Sequence, residues 1–135
     1  ANAARLDGAL AQVPGLTPQP IDPRQTRRAV HLYCLRLDPD VFGCDRDTLL
    51  RAAAAEGLPL KPGYPTPVYV QPVFQAARVR DYTGVHCPVA EDLCARSAIW
   101  IPHPVLLAPP QEMDDVVAIL GKLQAHAREL ARADA

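Results

Sequence analysis

Between Gly57 and Gln75 the chain reads GLPLKPGYPTPVYVQPVFQ, and its five prolines constrain the fold more than any other stretch. Proline fixes φ, lacks an amide donor and keeps the preceding residue out of the helical region. The spacing therefore excludes a helix here and argues against a long central strand. It predicts a short strand after Gly57, then a stiff extended segment carrying Tyr64, Tyr69 and Gln71 at fixed offsets. Lys61, one of two lysines in the chain, stands at its head, and the segment contains no acid. Function concentrates on loops held by a scaffold, and amphipathic aromatics suit ligand contact. The plain alternative is a proline-rich crossing between two helices.

The flanking sequence supplies the scaffold. Residues 2–12 place Ala3, Leu6, Ala9 and Leu10 on one helical face, and Val13-Pro14-Gly15 ends that helix. A turn-rich passage runs on to Pro23. Residues 29–38, AVHLYCLRLD, form the clearest strand, apolar on both faces and so central, with helices covering one side. His31 within it reads as a partly buried structural histidine. Asp45 is placed to cap the helix DRDTLLRAAAAEG, and Gly57 suits the position just past its end. Leu58-Pro59-Leu60 then returns toward the sheet.

Beyond the proline segment, Gln75 to Gly84 reads as polar loop and PVAEDLCARS as a short helix with Val89, Leu93 and Cys94 facing inward. Ala98 to Ile101 reads as a strand by its β-branched and aromatic content. Apolar residues from Met113 to Ala131 recur at helical spacing, which predicts one packing helix from about Gln111 to Arg132. The order α–β–α–β–loop–α–β–α implies an α+β fold, a small sandwich of three or four strands, mixed or antiparallel, with helices mainly on one face. All 135 residues fit one domain.

Composition excludes several classes. A formal net charge of −1 gives no support to nucleic-acid partners or a polybasic membrane surface. No apolar run approaches the ~18–20 residues of a membrane span, and no signal peptide is visible. The expected compartment is the cytoplasm, where Cys34, Cys44, Cys87 and Cys94 would be reduced thiols. His86, Cys87, Cys94 and His103 could in principle gather around zinc, but their spacing fits no recurrent zinc pattern, so no metal site is expected.

Six segments in succession carry a resemblance: NAARLDGAL, HLYCLRLD, RDTLLRAAAAEGLPL, PGYPTPVYVQPVF, CPVAEDLCARSAIWIPH and DDVVAILGKL. Together they resemble the C-terminal small domain of the DegT/DnrJ/StrS family of sugar and aminocyclitol aminotransferases. The resemblance implies the small-domain type of fold type I aminotransferases, enzymes dependent on pyridoxal 5′-phosphate. It implies transfer of an amino group from glutamate or glutamine to a keto-sugar or keto-cyclitol in amino-sugar or natural-product biosynthesis. It also implies a homodimer and a large N-terminal domain of the same protein that holds the cofactor. The family pattern G-x-H-Y-P ahead of P-x-H-x-Q-P is matched at Tyr64, Pro65, Gln71 and Pro72, while Gly63 and Tyr69 stand at its two histidine positions. By that match Tyr64, then Tyr69 and Gln71, together with Lys61, are the candidate substrate-binding residues.

A transaminase needs a lysine for the cofactor, a carboxylate for its ring nitrogen and donors for its phosphate. Lys122 falls on the packing helix, and Lys61 has no neighbouring acid in sequence. No catalytic or cofactor-binding residue is therefore expected in this chain, which would form one wall of a site and not catalyse alone. The alternative from another class is a free-standing binding or interaction module with the same fold and no catalysis.

Overall fold

The computed structural model describes residues 2–76, 81–82 and 84–133. In chain order it contains α1 (Asn2–Leu10), β1 (Leu16–Pro18), β2 (Leu32–Leu37), α2 (Pro39–Phe42), α3 (Arg46–Ala55) and β3 (Lys61–Pro62). There follow α4 (Pro72–Gln75), α5 (Pro88–Asp92), β4 (Ala98–Pro102), α6 (His103–Leu106), α7 (Glu112–Ala125) and α8 (Ala127–Ala133). The four strands form one antiparallel sheet in the order β1-β2-β4-β3, with β2 and β4 central.

Strand alternation divides the sheet into two unlike faces. Tyr33, Leu35 and Leu37 of β2 and Ile99 and Ile101 of β4 point into the core, where Leu6, Leu10, Leu49, Met113 and Leu120 meet them from α1, α3 and α7. Each such side chain contributes roughly 1.5–3 kcal/mol by leaving water. Leu32, Cys34, Ala98 and Trp100 occupy the other face and remain half-buried. Helices α1, α3 and α7 cover the core face and leave the second open except where the turn after α5 meets it, and the site described below lies there.

Helix α3 starts and stops as its sequence predicts. The Asp45 carboxylate accepts the Thr48 amide at 2.8 Å. At the far end the Leu58 amide donates to the Ala53 carbonyl and the Gly57 amide to the Ala54 carbonyl, a Schellman closure that turns buried Leu58 under the sheet.

Several expectations are corrected. The proline segment is not free of helix: Val68–Val70 makes one 3₁₀ turn, and Pro72 opens α4, because proline at the first helical position loses no hydrogen bond. The strand expected after Gly57 begins later, at Lys61, and spans two residues. The passage after Gly15 contains β1, an edge strand where Pro18 is tolerated. The helix after Cys87 passes into a π-turn at Leu93–Ser97, where the Ser97 hydroxyl donates to the Asp92 carboxylate at 2.8 Å. Val89, expected inward, is 72% exposed. The long terminal helix breaks at His126, whose carbonyl accepts the Glu129 and Leu130 amides and so starts α8 with Ala127 buried. Of the polar loop expected from Gln75 to Gly84, residues 77–80 and 83 lie outside the described residues, and Gln75 itself ends α4.

One polar cluster ties the connection between β1 and β2 to α1. The fully buried Tyr33 donates its hydroxyl to Asp7 at 2.9 Å, and Arg28 bridges both Asp7 oxygens at 2.9 Å. Burial first, and then the bond to Asp7, push the Tyr33 phenol far above its ordinary range. A raised value means stability is complete below the unfolded phenol's pKa, about 10, and is lost as pH rises beyond it. Urea unfolding should therefore show stability falling above pH ~10 by up to ~1.4 kcal/mol per pH unit from this group. Tyr33→Phe should flatten that fall while costing about 1 kcal/mol at neutral pH. An unchanged alkaline slope in the variant would assign the fall to other groups.

Candidate functional site

The uncovered sheet face carries a row of three side chains fixed by register. Lys61 of β3 lies opposite Trp100 of β4, which lies opposite Cys34 of β2. One step along, the Gly63 amide donates to the Ala98 carbonyl at 3.2 Å and carries the proline-rich arm off the sheet edge. A Cβ on Gly63 would stand 2.6 Å from the Ala98 Cβ, so only glycine permits this approach. Directly beyond it, Tyr64 sets its ring edge-on against Trp100, centroids 4.8 Å apart and planes at 83°. Gly63, Tyr64, Ala98 and Trp100, with Thr17, Cys34, Leu93 and Cys94, line a cleft of about 550 Å³. Its wall is aromatic and aliphatic, with Arg36 at the edge. Such a lining takes the apolar face of a ring and leaves polar selection to a few groups.

The four sequence-derived candidates separate into two groups. Tyr64 and Lys61 lie on the cleft's side of the sheet; Tyr64 is 66% exposed, and its hydroxyl has no hydrogen-bond partner among the described residues. Tyr69 and Gln71 make contacts within the protein. The Tyr69 hydroxyl donates to Glu91, which also accepts the Cys87 amide at 2.9 Å and pairs with His86 at 2.8 Å. The Gln71 amide donates to Thr66 at 2.9 Å, and Gln75 donates to the Tyr69 carbonyl at 2.6 Å. The bond from Tyr69, and then that from Cys87, hold the Glu91 carboxyl below the usual carboxylate range. The same bond raises the Tyr69 phenol.

Sequence reasoning did not single out Trp100, Ala98 or Glu91. Trp100 and Ala98 could have been found from alternation, since both share the β4 face opposite Ile99 and Ile101. Nothing local pairs Glu91 with Tyr69, 22 residues away. Among the described residues, no group of three or more His, Cys, Asp and Glu side chains could hold a metal ion. His103 lies instead beside His31, ring centroids 6.0 Å apart. No helix among the described residues is long and apolar enough to cross a membrane.

A four-stranded antiparallel sheet packed on α1, α3 and α7, with a cleft on its other face, defines a small α+β fold. The crystal structure of 3-amino-5-hydroxybenzoic acid synthase contains the same fold, with a TM-score of 0.74 at 22% identity over 93% of this chain and 33% of that one. The chain belongs to the DegT/DnrJ/EryC1/StrS aminotransferase family, whose model matches residues 1–121. A Streptomyces kanamyceticus protein with the provisional name L-glutamine:3-amino-2,3-dideoxy-scyllo-inosose aminotransferase is 34% identical over 96% of the chain. L-glutamine:2-deoxy-scyllo-inosose aminotransferase of Streptoalloteichus tenebrarius is 32% identical, also over 96% of the chain. The chain spans about a third of the length of these relatives, 35% and 33%.

The described residues do not fit the cofactor that the resemblance implies. Lys122 donates to both Glu56 oxygens at 2.8 and 2.9 Å on the outer surface, across α7 from the cleft. Lys61 is exposed on the edge strand and has no ion pair among the described residues. Lys122 is taken up by its ion pair with Glu56 and Lys61 has no carboxylate beside it among the described residues, whereas a pyridoxal cradle needs a free lysine, a carboxylate for the ring nitrogen and donors for the phosphate.

Proposed function

We propose that this chain is the C-terminal substrate-cleft domain of a pyridoxal-phosphate-dependent aminotransferase that moves an amino group from glutamine or glutamate to a keto-cyclitol or keto-sugar. The observation that carries this reading is the Tyr64–Trp100 cleft on the uncovered sheet face of a chain in this family. The chain would supply the acceptor's wall, with Tyr64 the first contact and Lys61 reaching the rim. Tyr69 and Gln71 remain candidates through the shape of the arm. A large N-terminal domain would hold the cofactor, and the intact enzyme would be a cytoplasmic homodimer. Exposed Val68, Val70, Val73, Val85 and Val89 give such a neighbour an apolar surface to cover. Closure of a small domain over a cleft selects a substrate without supplying the bond-making groups.

The test uses the full-length protein. Tyr64→Phe should raise the KM for the keto-substrate roughly two- to tenfold, the range for one lost hydrogen bond. Tyr69→Ala should raise it as well, and the cofactor absorbance should remain that of the wild type in both. Unchanged kinetics in both variants would overturn the site. A natural protein no longer than this chain and without a chromophore would overturn the catalytic reading in favour of a binding module.

A further inference from the structure

The arm from Gly63 to Gln75 holds its shape by local bonds, but those bonds do not fix its place. Val70, Gln71, Phe74 and Gln75 all donate their amides to carbonyls within the arm. Val68, Val70 and Val73 are exposed, so burial does not anchor it either. Among the described residues its ties to the rest of the protein are Gly63 on Ala98, Tyr64 on Trp100, Phe74 edge-on to Tyr82 at 6.0 Å, the Cys87 amide on the Tyr69 hydroxyl at 3.3 Å, and Tyr69 on Glu91. Only the last is a hydrogen bond from a side chain to a charged group, the stronger class of such bonds.

We propose that Glu91 is a positioning residue of the acceptor cleft, acting through Tyr69. The carboxylate gathers the Tyr69 hydroxyl from the arm and the Cys87 amide from the turn before α5, with His86 closing the outer side. Helix α5 then runs directly into the π-turn whose Leu93 and Cys94 line the cleft. Glu91 thus joins the two walls of the cleft, the arm that carries Tyr64 and the turn that carries Leu93 and Cys94. Its oxygens are already engaged by three partners, so it sets the spacing of these walls without touching the substrate.

This inference rests on the proposed aminotransferase reading, and its test separates the two. In the full-length enzyme, Glu91→Ala should raise the KM for the keto-acceptor about five- to tenfold and leave the rate of the glutamine half-reaction within about twofold. Glu91→Gln keeps a carbonyl for the Tyr69 hydroxyl and the Cys87 amide, and should restore most of the acceptor affinity. Tyr69→Phe combined with Glu91→Ala should be no worse than Glu91→Ala alone, because both changes remove one bond. Hydrogen exchange read by mass spectrometry should show faster exchange at Gly63 and Cys87 in Glu91→Ala, and this readout does not depend on activity. Additive effects, an equal loss in both half-reactions, or unchanged exchange would overturn the positioning role. A wild-type enzyme that aminates no keto-cyclitol or keto-sugar would overturn the functional reading, and exchange alone would then decide the clamp. Should Glu91→Ala fail to fold, Tyr69→Phe breaks the same bond without removing the charge, and unchanged acceptor KM and exchange there would refute the proposal.

Discussion

Gly15→Ala should destabilise the chain on the order of 3–5 kcal/mol, from a left-handed backbone and an unavoidable overlap together. Gly15 sits at φ +80°, in the corner between α1 and β1. A Cβ there would lie 2.5 Å from the Phe42 amide nitrogen and 2.7 Å from its Cα. Both are main-chain atoms, so no rotamer change relieves the contact. Phe42 cannot retreat, because its side chain is only 1% exposed in the core. The Gly15 carbonyl also accepts the Asp38 amide at 2.8 Å, which fixes the corner against the end of β2. Small domains hold about 5–15 kcal/mol in total, so this one methyl group should remove a large share. Urea unfolding of the variant beside the wild type measures it. A loss below ~1 kcal/mol would mean that β1 and α2 separate freely, and would contradict the packing of Phe42.

The parts of the fold that were legible in the sequence are those specified by local rules. Strand β2 was visible because Tyr33, Leu35 and Leu37 alternate with Leu32, Cys34 and Arg36 over six residues. Helix α3 was visible because Asp45 and Gly57 mark its two ends. Strand β1 was hidden because three residues including Pro18 give no alternation, and its place comes from pairing with Leu35 to Leu37. The turn at Pro72 was hidden because proline signals helix exclusion inside a helix but permits its first position. The π-turn after Asp92 was hidden because one extra residue leaves no mark on periodicity. At the site, Tyr64 was legible as an aromatic on a stiff segment. The engagement of Tyr69 by Glu91 was not, because it depends on where two loops meet. The sequence pointed to the segment but not to its turns at Val68 and Pro72, and its partners across the cleft come from tertiary packing.

The same cleft yields a prediction with an internal rescue. Gly63→Ala brings two methyl carbons to 2.6 Å, about an ångström inside ordinary contact, and the rigid Ala98 side chain offers no movement. The arm should lift from the sheet edge, break the Gly63–Ala98 hydrogen bond and draw Tyr64 off Trp100. Overpacking of this kind costs about 1–3 kcal/mol. Trp100 is the single tryptophan of the chain, so its fluorescence reports the arm directly. In Gly63→Ala its emission should shift to the red and acrylamide should quench it more readily, since the Tyr64 ring no longer shields it. Ala98→Gly in the same chain removes the second methyl and should return both stability and emission most of the way to wild type. A rescue of this kind requires that the two positions touch, whereas a general loss of strand propensity at Ala98 would make the double variant worse. If Gly63→Ala leaves the emission unchanged, the arm is held by Glu91 and not by the sheet edge, and the two anchors exchange their order of importance.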